Sequence, residues 1–156
     1  MKISMASDHA GFELKEEIKD LLTKQGHDII DYGCSNKEAI DLSDTVYPAS
    51  LCVGKKEADR GIFIDGVGYG SALIANKIYG VYAVVCQDPF CARLAREHTD
   101  SNVLCLGGKI IGSALALEII DVWMKTDFLN GIEKYERRVK KVKDISEKHL
   151  NRLDSL

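Results

Sequence analysis

Five short apolar runs alternate with amphipathic stretches along the whole of this chain, and that alternation leaves few folds open. The runs predict strands over 2–6, 28–32, 61–65, 82–86 and 103–106. Between the first two, Phe12, Leu14, Ile18, Leu21 and Leu22 recur at helical spacing, Glu13, Lys15, Glu16, Lys19 and Asp20 cover the rest, and Gly26 stops the helix. Further helices are predicted over 44–56, with Pro48 near its start, over 71–78, and over 89–98, where Pro89 suits a first turn. A fifth, 113–124, is apolar nearly all round and predicted to be deeply packed. Strands alternating with helices specify a parallel sheet covered on both faces, a Rossmann-like three-layer α/β/α sandwich in one domain, 1–156. In such sheets ligands bind beyond the carboxyl ends of the strands. That places Asp8 and His9, Asp65, Gln87 and Asp88, and Gly107 and Gly108 on one rim.

After Asn130 and Gly131 the pattern changes. Ile132, Tyr135, Val139 and Val142 form an apolar stripe, and Lys134, Arg137, Arg138, Lys140, Lys141 and Lys143 crowd the other faces. We expect a C-terminal helix over about 131–152 that packs on another subunit. Lys134 and Arg138, four residues apart, project together and suit a phosphate as well as they suit solvent.

Composition narrows the function. A net charge of -3 over 156 residues gives no electrostatic reason to expect nucleic acid. No apolar stretch reaches the ~20 residues of a membrane span, and the N-terminus reads straight into a strand with no leader layout. Cys34, Cys52, Cys86, Cys91 and Cys105 match no metal-binding spacing. An odd number of thiols fits a reduced, cytoplasmic setting, and Cys52, Cys86 and Cys105 lie in apolar runs as core residues. No metal and no cofactor is expected.

The segment from Gly61 to Gly70 carries the chemistry. An apolar strand ends in Asp65, and Gly66, Gly68 and Gly70 follow at every second position before a helix. A carboxylate beside free backbone N–H groups suits reactions in which a proton leaves carbon and negative charge collects on oxygen. Burial at the strand end is expected to raise the Asp65 pKa and strengthen it as a base. Two other readings stay open: Asp65 as a structural cap on a tight turn, and a dinucleotide loop with Asp88 twenty residues beyond Gly68. Against the second, the loop follows the third strand and no second domain remains. His98 closes its helix in Ala95-Arg96-Glu97-His98, and Asp8-His9 ends the first strand.

The stretches Ser7-Asp8-His9-Ala10-Gly11-Phe12-Glu13-Leu14-Lys15, Ala58-Asp59-Arg60-Gly61, Gly66-x-Gly68-x-Gly70, Ala75-Asn76-Lys77, Ala95-Arg96-Glu97-His98, Asn102-Val103-Leu104, Gly107-Gly108 and Leu115-Ala116-Leu117-Glu118-Ile119 resemble the ribose-5-phosphate isomerase B family. That family also includes the two galactose-6-phosphate isomerase subunits. The resemblance runs through nearly the whole chain in order. It implies a metal-free aldose–ketose isomerase of phosphorylated sugars, a homodimer or tetramer whose subunits complete each other's active sites. By the same resemblance Asp8 is a substrate-hydroxyl partner and His9 a phosphate or hydroxyl contact. His98 is the group that opens the cyclic sugar, and Gly66, Val67, Gly68, Tyr69, Gly70 and Ser71 form the loop that holds the enediolate oxygens. Lys134 and Arg138 stand where two phosphate-binding arginines are usual, and Lys109 where an arginine is common.

The departures from the family pattern cluster at the site. Asp65 stands where ribose-type members have a cysteine base, and Ser71 where others place a glutamate base, which leaves Asp65 as the candidate. Carboxylates are competent for enolisation, as in triosephosphate isomerase. Val67 replaces a hydroxyl residue, Thr99 an asparagine, and Leu42-Ser43 a Tyr-Pro pair that lines the sugar pocket. One galactose-6-phosphate isomerase subunit also has aspartate at the Asp65 position, so a chain needing a paralogous partner is an alternative. So is an isomerase of a tetrose, a hexose or an unphosphorylated sugar.

Overall fold

A computed structural model describes residues 1–153. Its element order is β1 (Lys2–Ser7), α1 (Phe12–Lys24), β2 (Asp28–Asp31), α2 (Leu42–Gly54), β3 (Arg60–Asp65), α3 (Tyr69–Ala75), β4 (Ala83–Val85), α4 (Pro89–Thr99), β5 (Val103–Gly107), α5 (Ser113–Lys125) and α6 (Glu133–His149). The strands form one sheet in the order β2-β1-β3-β5-β4, with every pairing parallel. The expected three-layer sandwich is therefore present.

Alternate strand residues feed two cores. Ile3, Met5, Ile62, Ile64, Leu104 and Leu106 point to one face, where they meet Leu14, Ile18 and Leu22 of α1, Ala92 of α4, and Ile119, Ile120 and Trp123 of α5. Ala6, Phe63, Val103 and Cys105 point to the other, against Val46, Ala49 and Val53 of α2 and Ala75 of α3. A period of two in strands buried on both faces explains why the strands read as continuous apolar runs.

The chain leaves β1 in one direction to reach β2 and in the other to reach β3. That reversal opens a crevice above the carboxyl ends of β1 and β3, where a doubly wound sheet takes its ligand. Gly11, at the entry to α1, runs so close to β3 that a Cβ there would lie 2.3 Å from the Ile64 carbonyl oxygen.

Three helices differ from the sequence expectation. Helix α2 starts earlier, at Leu42, and continues through Pro48. The proline leaves only the Asp44 carbonyl without its helical donor, and Asp44 is exposed to water. Helix α3 ends at Ala75, because Asn76 turns its amide to β4: its Nδ2 donates to the Ala83 carbonyl and its Oδ1 accepts from the Ala83 N–H, both at 2.9 Å. Helix α5 buries one stripe, Ala116, Ile119, Ile120, Trp123 and Met124, while Leu115 stays exposed. Apolar composition all round did not produce burial all round.

Two arginines of the matched stretches hold the floor of the sheet. Arg60 donates from Nη1 to the carbonyls of Trp123 and Met124, each at 3.0 Å. Arg96 donates from Nε to the Thr126 carbonyl at 3.2 Å and from Nη1 to the Ser101 carbonyl. Both guanidinium groups lie near the Trp123 ring, at 5.0 and 5.8 Å. They satisfy the carbonyls at the end of α5, which no later helical turn would reach. Burial brings the Arg60 pKa down to about 10.

Candidate active site

The rim predicted from sequence is present, built by the loops that follow β1, β3 and β5. The Gly108 N–H donates to the Asp65 carbonyl at 2.7 Å and the Lys109 N–H to the Gly66 carbonyl at 3.0 Å. The Lys109 stem passes over Gly66, within 3.6 Å of where a Cβ would stand, and Ala10 lies 3.9 Å from that point. Asp8 is half-buried, and its Oδ1 accepts the N–H groups of Ala10 and Gly11 at 2.9 and 3.1 Å. Those bonds fix the turn into α1. His9 beside it is exposed.

Asp65 is the centre of the rim, at 4% exposure. Its Oδ1 accepts the N–H of Val67 at 2.8 Å and of Gly68 at 2.6 Å. Its Oδ2 accepts the N–H of Ser71 at 2.8 Å and the Ser71 hydroxyl at 2.7 Å. Four donors thus meet the four lone-pair positions of one carboxylate. Gly68 makes this wrap possible, with φ at 86° in the left-handed region. The loop closes around an internal anion.

This corrects one expectation. Burial pushes the Asp65 pKa up, as anticipated, but the hydrogen bonds from Ser71, Val67 and Gly68 outweigh it and hold the carboxyl below its ordinary value. The four donors favour the charged form of Asp65, against the effect of burial. The Asx-type cap that the sequence left open is what the hydrogen bonds describe. Among the loop amides, Asp65 does not engage those of Gly66, Tyr69 and Gly70, and the last two open the first turn of α3. Tyr69 is exposed, and its hydroxyl accepts from the Gln87 Nε2 at 3.1 Å. Val67 is also exposed, and Leu42 closes over Gly70, its Cδ2 2.7 Å from where a Cβ would stand.

The other site candidates lie elsewhere. Helix α4 runs back down the sheet, so His98 sits beside Tyr82 and Ala83 at the opposite end from Asp65. One strand's length, roughly 17 Å, separates the two ends. There His98 and Thr99 line a cavity of about 340 Å³ together with Asn76, Tyr82, Arg138, Val139 and Val142. The imidazole of His98 stacks on the ring of Tyr135, with centroids 4.2 Å apart and planes 12° from parallel. The Lys134 Nζ lies 4.5 Å from the centre of that Tyr135 ring. Arg137 pairs with Glu133, Lys140 with Asp144, and Lys143 with Asp100. Among the described residues no carboxylate pairs with Lys134, Arg138 or Lys141, so the two cations singled out from sequence are free to meet an anion.

The site residues thus fall into two groups. Asp8, His9, Gly66 to Ser71, Asp65 and Lys109 gather at the carboxyl ends of the strands. His98, Thr99, Lys134 and Arg138 gather at the opposite end. Sequence reasoning missed the Tyr135 stack, because an aromatic in an apolar stripe carries no mark of its partner. It also assigned no structural part to Arg60 and Arg96, although both lie inside matched stretches.

Residues 3–142 match the family model described as Ribose/Galactose Isomerase. The chain is 37% identical to ribose-5-phosphate isomerase B of Escherichia coli (strain K12), covering 94% of this chain and 97% of that protein. It is 33% identical to D-erythrulose-4-phosphate isomerase of Pectobacterium atrosepticum, covering 84% and 87%. Its fold superposes on the ribose-5-phosphate isomerase B of Clostridium thermocellum with a TM-score of 0.91 at 42% identity, over 96% of this chain and 99% of that one. A family model over residues 3–142, with relatives matched over nearly the full length of this sandwich, places the chain in the ribose/galactose isomerase family of sugar-phosphate isomerases.

Proposed function

We propose that the chain interconverts an aldose and a ketose phosphate, such as ribose 5-phosphate and ribulose 5-phosphate, through an enediolate in a site shared between two copies. The observation that carries this reading is the division of the site: the carboxylate loop and the histidine–cation group occupy opposite ends of one sheet. A two-fold partner laid antiparallel against the open β4 edge brings one copy's loop to the other copy's His98. Lys134 and Arg138 then anchor the phosphate, His98 assists ring opening, and the amides of Tyr69 and Gly70 meet the enediolate oxygens. Asp8, His9, Lys109 and Thr99 contact the sugar hydroxyls and the phosphate.

Asp65 takes the proton between C1 and C2 only if a substrate displaces one of its four donors. The Ser71 hydroxyl is the donor that a bond rotation releases. The same saturation favours a second reading, in which Asp65 only shapes the loop and this chain lends His98, Lys134 and Arg138 to a paralogous subunit with its own base.

The test follows solvent deuterium uptake at the carbon-bound position in a panel of tetrose, pentose and hexose phosphates. The purified chain is expected to catalyse exchange on at least one, and Asp65→Asn to lower it about 100- to 10,000-fold. Exchange unchanged in Asp65→Asn removes Asp65 as the base. No exchange by the chain alone, with exchange gained in Asp65→Cys, supports the paralogous-partner reading.

A further inference from the structure

The residue that stacks on His98 belongs to a different helix, and nothing in the reaction assigned above uses it. We propose that Tyr135 is a positioning residue, holding the His98 imidazole in the plane from which it opens a cyclic sugar phosphate. The inference rests on the isomerase reading above and extends it to one side chain.

Three contacts tie this part of α6 to the end of α4. The rings of His98 and Tyr135 lie nearly parallel at 4.2 Å. The Leu129 N–H donates to the Glu97 carbonyl at 3.1 Å, anchoring the segment that leads into α6 directly beside His98. Val139, one turn beyond Tyr135, is the buried residue of α6. Against a face-on ring the imidazole loses its freedom to rotate about χ2, a soft torsion that an exposed histidine explores broadly. The Tyr135 ring also carries the Lys134 ammonium at 4.5 Å, a favourable cation–π distance. Lys134 is exposed and reaches an anion on its own flexible stem, so the fixed demand of the stack falls on the histidine.

The role is specific to ring opening. In the furanose form of an aldose 5-phosphate, the C1 hydroxyl gives up its proton and C1=O forms. The bond from C1 to the ring oxygen then breaks, and that oxygen keeps the electron pair and takes a proton. A histidine serving this exchange must face both oxygens, so its ring plane matters more than its mere presence. Misplacement of a catalytic group by about 1 Å costs on the order of 100-fold. Ribulose 5-phosphate and erythrose 4-phosphate cannot close to furanoses, because the hydroxyl needed is phosphorylated. Their enolisation bypasses the step.

The experiment compares wild type, Tyr135→Leu and Tyr135→Phe on these phosphates. Tyr135→Leu is expected to lower kcat for ribose 5-phosphate roughly 10- to 100-fold. Its deuterium exchange at C1 of ribulose 5-phosphate, and its turnover of erythrose 4-phosphate, should stay within about twofold of wild type. Tyr135→Phe keeps the ring and should restore ribose 5-phosphate turnover. An equal loss on cyclic and acyclic substrates, or no loss on either, overturns the proposal. A wild type that acts on no tetrose, pentose or hexose phosphate overturns the isomerase reading and the ring-opening role with it. Proton resonances of the His98 ring decide the stack independently of turnover. They should lie upfield in wild type and move downfield in Tyr135→Leu, and equal positions in both would overturn the stack itself.

Discussion

At the scale of single residues, Asp65 shows how local geometry can invert a sequence argument. Burial alone would make this carboxyl a stronger base, yet the loop it terminates supplies four donors that favour the charged form. Truncation in Asp65→Ala strands the buried N–H groups of Gly68 and Ser71 and is expected to cost about 2–4 kcal/mol, read as a lowered denaturation midpoint. The sign with pH follows from the depressed pKa. The stabilisation is fully present above the ordinary carboxyl pKa near 3.8 and is lost as pH falls through the lower folded value. Asp31 acts in the same direction. Burial raises its pKa, but bonds from Lys15, Lys19 and the Gly33 N–H together hold it down. Thermal melts of wild type should therefore fall steeply below about pH 4, and Asp65→Asn should show a shallower fall. An identical acid profile in the two would remove Asp65 from the account.

At the scale of elements, packing rather than propensity sets where helices lie and stop. Helix α1 can approach the sheet only because Gly11 has no Cβ to meet the Ile64 carbonyl. Gly11→Ala should force α1 outward and cost about 2–3 kcal/mol, several degrees in Tm, measured by calorimetry. The strands were legible as short continuous apolar runs, α1 from the helical recurrence of its apolar residues, and α4 from Pro89 at its first turn. The passage of α2 through Pro48 and the end of α3 were not, since they depend on the exposure of Asp44 and on the Asn76–Ala83 amide pair. The all-round apolar reading of α5 missed in the same way: composition cannot tell which stripe the sheet will cover.

At the scale of the whole molecule, the two groups of candidate residues lie at opposite ends of one sheet, and the proposed isomerase reading therefore assigns activity to an assembly. Mixing inactive Asp65→Asn chains with inactive His98→Ala chains should restore activity, because a mixed dimer carries one intact site. Random exchange gives about a quarter of wild-type turnover. No recovery after verified subunit exchange would mean that both groups act within one chain. The apolar stripe of α6 was legible from its spacing, and so were Lys134 and Arg138 as cations one helical turn apart. That these two face the same cavity end as His98 was not, because a helix's direction relative to a sheet is fixed only when the layers are packed.

The sequence by itself determined the sandwich, the strand-end rim and the family, since alternation, glycine spacing and matched stretches are local properties of the chain. Only the tertiary structure decided that Asp65 is clamped, that His98 stands on Tyr135, and that the candidate residues fall at two ends of the sheet. Those outcomes arise from contacts between residues distant in sequence, and from how many donors reach one buried carboxylate, which no linear spacing encodes.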